Sequence, residues 1–419
     1  MNSIREFFKD IRHWDKTYTR LMDKTNISKE EKQELSEAFT FDRNELIEKI
    51  MSNSYGWSVP RRVELRKTGT TKKRIVYIYS VIDRLMLGVL YSVLSEYFKD
   101  RISPYCYSYK VGVNIGKAVK FIRDFDGSLN SYGVKIDIHA YFNNISRDRV
   151  HEMLTELFGN SEEMSGLNKT LISLLDDDRC NFKGREITEY KGVIPGTPLA
   201  SFFANYCLNE CDRHFENSDT VYARYSDDII LMNQDKSKLD EGLKIVEGYI
   251  AKYGLTLNED KYCYFNPGDD ITFLGLKLRN DGKIDMSDHS KQKVKKQIHR
   301  WCKKGRKEIE MYGAPFMGIA TAINRRINNK NFKCYIRNEG TFGWCHYMFR
   351  YITTTDSLKE IDLYTKDTLR AMKTGHHNKA NYKAVAEEEF AEMGWVSLVQ
   401  LYNLYRTDFD YYCEVISLL

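Results

Sequence analysis

VYARYSDDIIL, residues 221–231, is two apolar half-strands parted by Ser226-Asp227-Asp228, the pattern of a tight hairpin with an acidic turn. Upstream, GVKIDI at 133–138 is a short buried strand interrupted by another acid, Asp137. Aspartate is a poor strand former and costly to bury, so a strand that ends in one needs a partner for its charge. Three carboxylates gathered on one sheet edge would repel unless cations neutralised them. Such an oxygen-only cluster suits Mg²⁺, with Mn²⁺ as an alternative ion. Two ions about 4 Å apart can activate a hydroxyl and stabilise a departing pyrophosphate. Singly, each signal is weak: an Asp at a strand end is usually a cap or turn residue, and Asp-Asp is ordinary in a hairpin turn.

The flanking pattern supplies the order of elements. Residues 1–60 read as polar helices, and 61–79 as a β-hairpin with Gly69 in a basic turn. An apolar helix is expected over about 83–98. Segment 192–215 opens with a Gly/Pro turn and continues as a helix through Asn205. A helix over about 238–253 is followed by strands near 262–265 and 272–278, and from 288 onward the pattern is helical. The sequence β, α, turn-α, β-hairpin, α, β matches a split βαβ layout, so the fold class is α+β with helices covering one face of an antiparallel sheet.

Composition excludes little. Of 419 residues, 42% are hydrophobic and 29% charged, ordinary for a globular protein, and the net charge is +5. No apolar run approaches the roughly 18–20 residues needed to cross a bilayer, so no membrane partner is expected. The first residues mix acid and base, unlike a signal peptide, and a cytoplasmic location is the expectation. Nine cysteines without CxxC spacing read as buried thiols, including Cys207 and Cys211 at i,i+4. From 291 to 307 the chain reads KQKVKKQIHRWCKKGRK, with nine Lys/Arg and no acid. As a helix it places Val294, Ile298 and Trp301 on one side. Lys291, Lys295, Arg300 and Lys304 are then expected to face a phosphate backbone.

Taken in order, these motifs resemble the reverse transcriptase family over about residues 60–280. YSDD at 225–228 resembles its YxDD box, and KIDIHAYFNNI at 135–145 its first catalytic strand. The resemblance implies a right-hand polymerase fold: N-terminal helices and fingers over 1–132, a catalytic palm over 133–283, and a helical thumb and tail over 284–419. It implies Asp137, Asp227 and Asp228 as metal ligands, with the Ile138 carbonyl as a further ligand. Phe142 falls where the family keeps an aromatic gate against the 2′-hydroxyl. GVIPGTPLASFFAN at 192–205 resembles the turn-helix beneath the nucleotide, with Gly196 allowing close approach and Asn205 at the family's asparagine position. Pro195 stands where a Gln is usual, and Ala200-Ser201 where Ser-Pro is usual, which weakens nucleotide and template contacts there. LTLNEDKYCYF at 255–265 resembles the L-N-x-x-K box, with Lys261 placed to protonate pyrophosphate as it leaves. Lys72 and Arg74 match the triphosphate-holding fingers strand. Lys110 lies in an aromatic-plus-base segment, and Gly275 in a primer-gripping turn.

The implied activity is RNA-directed DNA synthesis from dNTPs on an RNA template, giving a DNA product. The short chain and altered turn look most like the bacterial defence-associated reverse transcriptases, and most like their type 2 form, whose template is a structured non-coding RNA. Alternatives are protein-primed or untemplated synthesis of the abortive-infection type, a retron or diversity-generating enzyme, and a catalytically silent RNA-binding scaffold. His376 and His377 read as surface or RNA-contacting residues, and the oligomeric state stays open.

Overall fold

The computed structural model describes residues 3–24, 27–66, 73–125, 127–328, 344–378 and 380–418. The chain divides into two compact units, Met1–Pro267 and Gly268–Leu419.

The first unit carries strands β1 (Arg61–Arg66), β2 (Lys73–Ile78), β3 (Tyr132–Asp137), β4 (Arg179–Phe182), β5 (Arg185–Thr188), β6 (Val221–Tyr225), β7 (Asp228–Asn233) and β8 (Cys263–Phe265). The expected N-terminal hairpin is β1–β2, antiparallel, with Arg66 opposite Lys73. Its tip, with Gly69 and Lys72, lies outside the described residues. β4 and β5 join it to form one sheet in the order β2-β1-β4-β5. This extension was not expected from the sequence, because four-residue strands carry too little alternation to be read and their partner is distant in the chain.

The second sheet runs β6-β7-β3-β8, antiparallel throughout. Val134 and Ile136 of β3 and Ile229, Ile230, Leu231 and Met232 of β7 are fully buried. Helix Lys236–Lys252 packs on β7 and β3, burying Leu239, Leu243, Val246 and Ile250. Helix Val81–Tyr97 starts at Ser80, whose hydroxyl accepts the Asp83 N–H. Helix Pro198–Cys207 starts at Thr197 with Pro198 in its first turn, where the missing N–H costs nothing. A second helix, Asn209–His214, follows directly. Cys207 and Cys211 are buried there, and burial pushes the Cys207 thiol up to about 11.

In the second unit, β9 (Ile271–Phe273), β10 (Leu276–Leu278) and β11 (Ile284–Met286) form an antiparallel sheet in the order β11-β10-β9. β9 and β10 pack here, whereas the sequence reading counted them with the palm. Leu274 and Gly275 make the two-residue turn between them, at φ +53° and +80°. Helix Asp288–Tyr312 begins at the Ser287 cap and packs against helices Phe316–Ile327 and Asp356–Thr374. Its buried stripe is Val294, Ile298 and Cys302; Trp301 is half-buried. Among the described residues no helix is long and apolar enough to cross a membrane.

Candidate active site

The β3–β7 register sets Asp137 opposite Asp228. Tyr225 pairs with Asp228 across the hairpin, leaving Ser226 and Asp227 as a two-residue turn. Ser226 takes φ +62°, the left-handed value that such a turn requires at its first position. The Ile138 N–H donates to the Asp227 carbonyl at 3.0 Å, tying the turn to the end of β3. Asp137, Asp227 and Asp228 thus lie at one end of the sheet.

The acids feel each other. Burial, then the neighbouring Asp227 and Asp137, pushes the Asp228 carboxyl up to about 6. Burial raises Asp227 as well, with Asp137 adding to the shift. Lys261 answers part of this charge: its Nζ lies 2.6 Å from Asp137 Oδ1, and the Asn258 side-chain amide donates to the same oxygen. Among the described residues no three His, Cys, Asp or Glu side chains surround a common point in ligand geometry. The donors nonetheless fit a hard divalent cation, being carboxylates on adjacent backbone segments with an excess of negative charge. The ammonium on Asp137 holds the place of a counterion there.

Beneath the hairpin is a buried ion pair that the sequence reading missed. Arg224 and Asp212 are both fully buried and joined from Nε to Oδ1 at 2.7 Å. Arg224 also donates to the carbonyls of Asn205 (2.8 Å) and Ser226 (3.2 Å), and Tyr222 Oη donates to Asp212 at 2.7 Å. Burial opposes the guanidinium charge, and Asp212 overrides it, so the Arg224 pKa rises. The signal was present in VYARY, where a charge inside an apolar strand needs a partner as much as the acids do.

Asn205 requires a correction. It is buried, and its amide is closed in a two-way bond with Ser108: Ser108 Oγ donates to Oδ1 and Nδ2 donates to the Ser108 carbonyl, both at 2.6 Å. Ser108 Oγ in turn accepts the Ser226 N–H at 2.9 Å. Asn205 therefore positions the acidic turn through Ser108, and at 1% exposure its amide is directed into the protein. Lys110 is corrected likewise, since its ammonium donates to the Ser103 carbonyl at 2.9 Å and burial lowers its pKa.

Gly196, at φ +102°, allows a close approach, but to β2. A Cβ there would lie 2.9 Å from Val76 Cβ, and the neighbouring Pro195 carbonyl accepts the Tyr77 N–H at 3.0 Å. Pro195 thus contributes a backbone acceptor where the usual side-chain amide is missing. Phe142 is half-buried and held from below, its carbonyl accepting the Val193 N–H at 3.1 Å. Tyr109, unforeseen as a site residue, meets Phe142 edge-on at 6.4 Å and Tyr225 at 6.1 Å. Arg74 is exposed on β2.

In the second unit, the Gly275 carbonyl accepts from Ser287 N–H (3.0 Å) and Ser290 Oγ (2.9 Å). The cationic helix is divided. Lys291 and Lys295 turn inward onto Glu360 at 2.7 and 2.5 Å, which corrects their assignment to an outward phosphate-facing row. Lys293, Lys296, Arg300, Lys303, Lys304 and Lys307 are exposed. A groove of about 410 Å³ is lined by Gln292, Lys295, Lys296, His299, Arg300 and Tyr364.

A family model described as reverse transcriptase (RNA-dependent DNA polymerase) matches residues 65–278, just over half the chain. The retron Ec86 reverse transcriptase of Escherichia coli is 24% identical over 183 residues, covering 42% of this chain and 51% of that protein. The match thus spans about half the length of this curated relative. Among solved structures, telomerase from Candida albicans in complex with a TWJ fragment of telomeric RNA has a TM-score of 0.43 at 14% identity, over 86% of this chain and 65% of that one. Apo telomerase from Candida tropicalis has a TM-score of 0.47 at 10% identity, over 86% and 69%. On the family match, with the YSDD hairpin and the Asp137 strand inside it, the chain belongs to the reverse transcriptase family.

Proposed function

We propose that the chain is an RNA-directed DNA polymerase that copies a structured non-coding RNA in defence against phage. The observation that carries the catalytic part is the cross-strand pair Asp137–Asp228 with Asp227 in the adjoining turn. Asp137, Asp227 and Asp228, with the Ile138 carbonyl, would hold two Mg²⁺ ions. Bound there, such ions activate a primer hydroxyl and stabilise the leaving pyrophosphate.

The protein's own groups do the rest. The Ser108–Asn205–Ser226 bonds and the Arg224–Asp212 pair keep the acidic turn rigid, so that its carboxylates need little reorganisation. Lys261 holds Asp137 in the absence of other cations, and is released toward the triphosphate when that charge is met elsewhere. Phe142, backed by Tyr109, would exclude a 2′-hydroxyl. Arg74 and Lys72 would meet the triphosphate, and the outward cations Lys296, Arg300 and Lys304 would contact the nucleic-acid backbone.

The test is incorporation of labelled dNTPs or NTPs by the purified chain with Mg²⁺, with and without an RNA template and primer, beside Asp227→Ala/Asp228→Ala. Template-dependent dNTP incorporation that is lost in the double variant is expected, and sequencing the product names the template. Equal inertness of both proteins with every template, including RNA co-purified from the host, would overturn the polymerase reading.

A further inference from the structure

A groove of about 510 Å³ opens among the helices of the first unit, lined by Arg101, Arg149, Glu156, Tyr206, Asn209, Glu210 and Arg213. Its size is that of small-ligand pockets in general. Arg149 and Glu156 come from helix Arg147–Phe158, Asn209, Glu210 and Arg213 from helix Asn209–His214, and Arg101 from the turn after helix Val81–Tyr97. None of these residues belongs to the carboxylate cluster or to its supports.

The charges are unevenly satisfied. Glu156 is held by Arg149 at 2.7 Å, and Glu210 by Lys252 at 2.7 Å and by Tyr253 Oη. Arg101 and Arg213 take no part in these pairs, and among the described residues neither forms an ion pair. Their guanidinium groups meet only neutral acceptors: Arg101 the Glu156 carbonyl at 3.0 Å and the Tyr206 hydroxyl, and Arg213 the Arg101 and Asp100 carbonyls at 2.9 and 3.4 Å. Two like charges are therefore drawn to one wall without a carboxylate to hold them. The third arginine is more telling. Arg149 is 5% exposed and its Nε is buried without a hydrogen-bond partner among the described residues, although Nη1 and Nη2 are both engaged. That guanidinium also lies 4.3 Å from the centre of the Tyr253 ring, which fixes it in the wall of the groove as a positive charge.

We propose that this groove binds a nucleotide-sized phosphoester, with the phosphate between Arg101 and Arg213. Planar guanidinium groups match phosphate oxygens bidentately. Glu156 and Glu210, already neutralised on one side, accept from the N–H and O–H groups of a base and sugar. That acceptor wall favours a nucleotide over a bare inorganic anion. A free nucleotide and the 5′-phosphorylated end of an RNA strand share this chemistry.

The test is calorimetric titration of the full chain with adenosine monophosphate in EDTA, alongside adenosine. Saturable binding of the monophosphate but not of adenosine is expected. Arg101→Ala/Arg213→Ala, both exposed residues, is expected to weaken it at least about tenfold in a protein that still unfolds cooperatively without ligand. Asp227→Ala/Asp228→Ala is expected to bind as the parent does, so the result stands apart from the polymerase reading. Competition by a 5′-phosphorylated but not a 5′-hydroxyl RNA tetranucleotide assigns the strand end; no competition by either assigns the free nucleotide. Equal binding of adenosine, unchanged binding by the arginine variant, or loss of binding in the aspartate variant would overturn the proposal.

Discussion

Asp137 and Asp228 face each other on neighbouring antiparallel strands, at the kind of position where side chains come closest. The Ile138 N–H bonds the Asp227 carbonyl, so the next pair along, Asp137–Asp228, is of the non-hydrogen-bonded type. Like charges directly opposite destabilise a sheet, a cost that the proposed metal ions would offset.

Asp228→Asn should therefore separate stability from activity. Without divalent metal the variant is expected to be more stable than the parent by up to about 1 kcal/mol, from relief of the cross-strand repulsion. Nucleotide incorporation is expected to fall by about a hundredfold or more, the scale on which one group stabilising transition-state charge contributes. Denaturant melts in EDTA and a primer-extension assay measure the two effects, and a variant less stable than the parent would count against this account of the acids.

The Arg224–Asp212 pair is expected to behave as a unit. Asp212→Ala leaves a buried guanidinium unpaired and should cost about 3–5 kcal/mol. Adding Arg224→Met should recover part of that loss, but not all, because the carbonyls of Asn205 and Ser226 and the Tyr222 hydroxyl lose their partner. A double-variant cycle by urea unfolding reads the coupling.

Ser108→Ala removes the hydroxyl that joins Asn205 to the Ser226 N–H, at a cost of about 1–3 kcal/mol. Because Asn205 is spent inside the protein, kcat is expected to fall while KM for dNTP changes little. A rise in KM with kcat unchanged would instead favour direct nucleotide contact by Asn205.

Salt dependence divides the cationic helix. Arg300→Ala or Lys304→Ala should each lower the slope of log affinity for RNA against log salt by about 0.7–0.9. Lys291→Ala and Lys295→Ala should leave the slope unchanged, since both ammonium groups are committed to Glu360. Filter binding over a salt series distinguishes them.

His13 gives the fold a sensitivity to acid. It is buried, with Nδ1 2.7 Å from Ser92 Oγ, and burial lowers its pKa below 6.5. The folded state thus binds fewer protons than the unfolded one, so its contribution is present above pH 6.5 and is lost as pH falls through the folded pKa. Melts from pH 7.5 to 5 should show a shallower decline for His13→Gln than for the parent.

Much of the site was legible because charge inside an apolar strand is visible one residue at a time. Asp137, Asp227 and Asp228 stand out by that test, and so does Arg224, which the same test should have flagged. Asn205, Lys110, Lys291 and Lys295 were misassigned for a shared reason. Residue type and helical face say that a polar group needs a partner, not whether that partner is a ligand or another part of the chain.

What the sequence by itself determined is the local grammar: the apolar runs of β3, β6 and β7, the turn at Ser226-Asp227, and the acids that make those strands anomalous. Only the tertiary structure decided which charges are spent internally. It closed Asn205 on Ser108 across 97 positions of chain, Lys291 on Glu360 across 69, and β1 on β4 at Arg61 and Asn181. Periodicity reports the face on which a side chain lies; its partner is set by packing between distant segments, which no local pattern encodes.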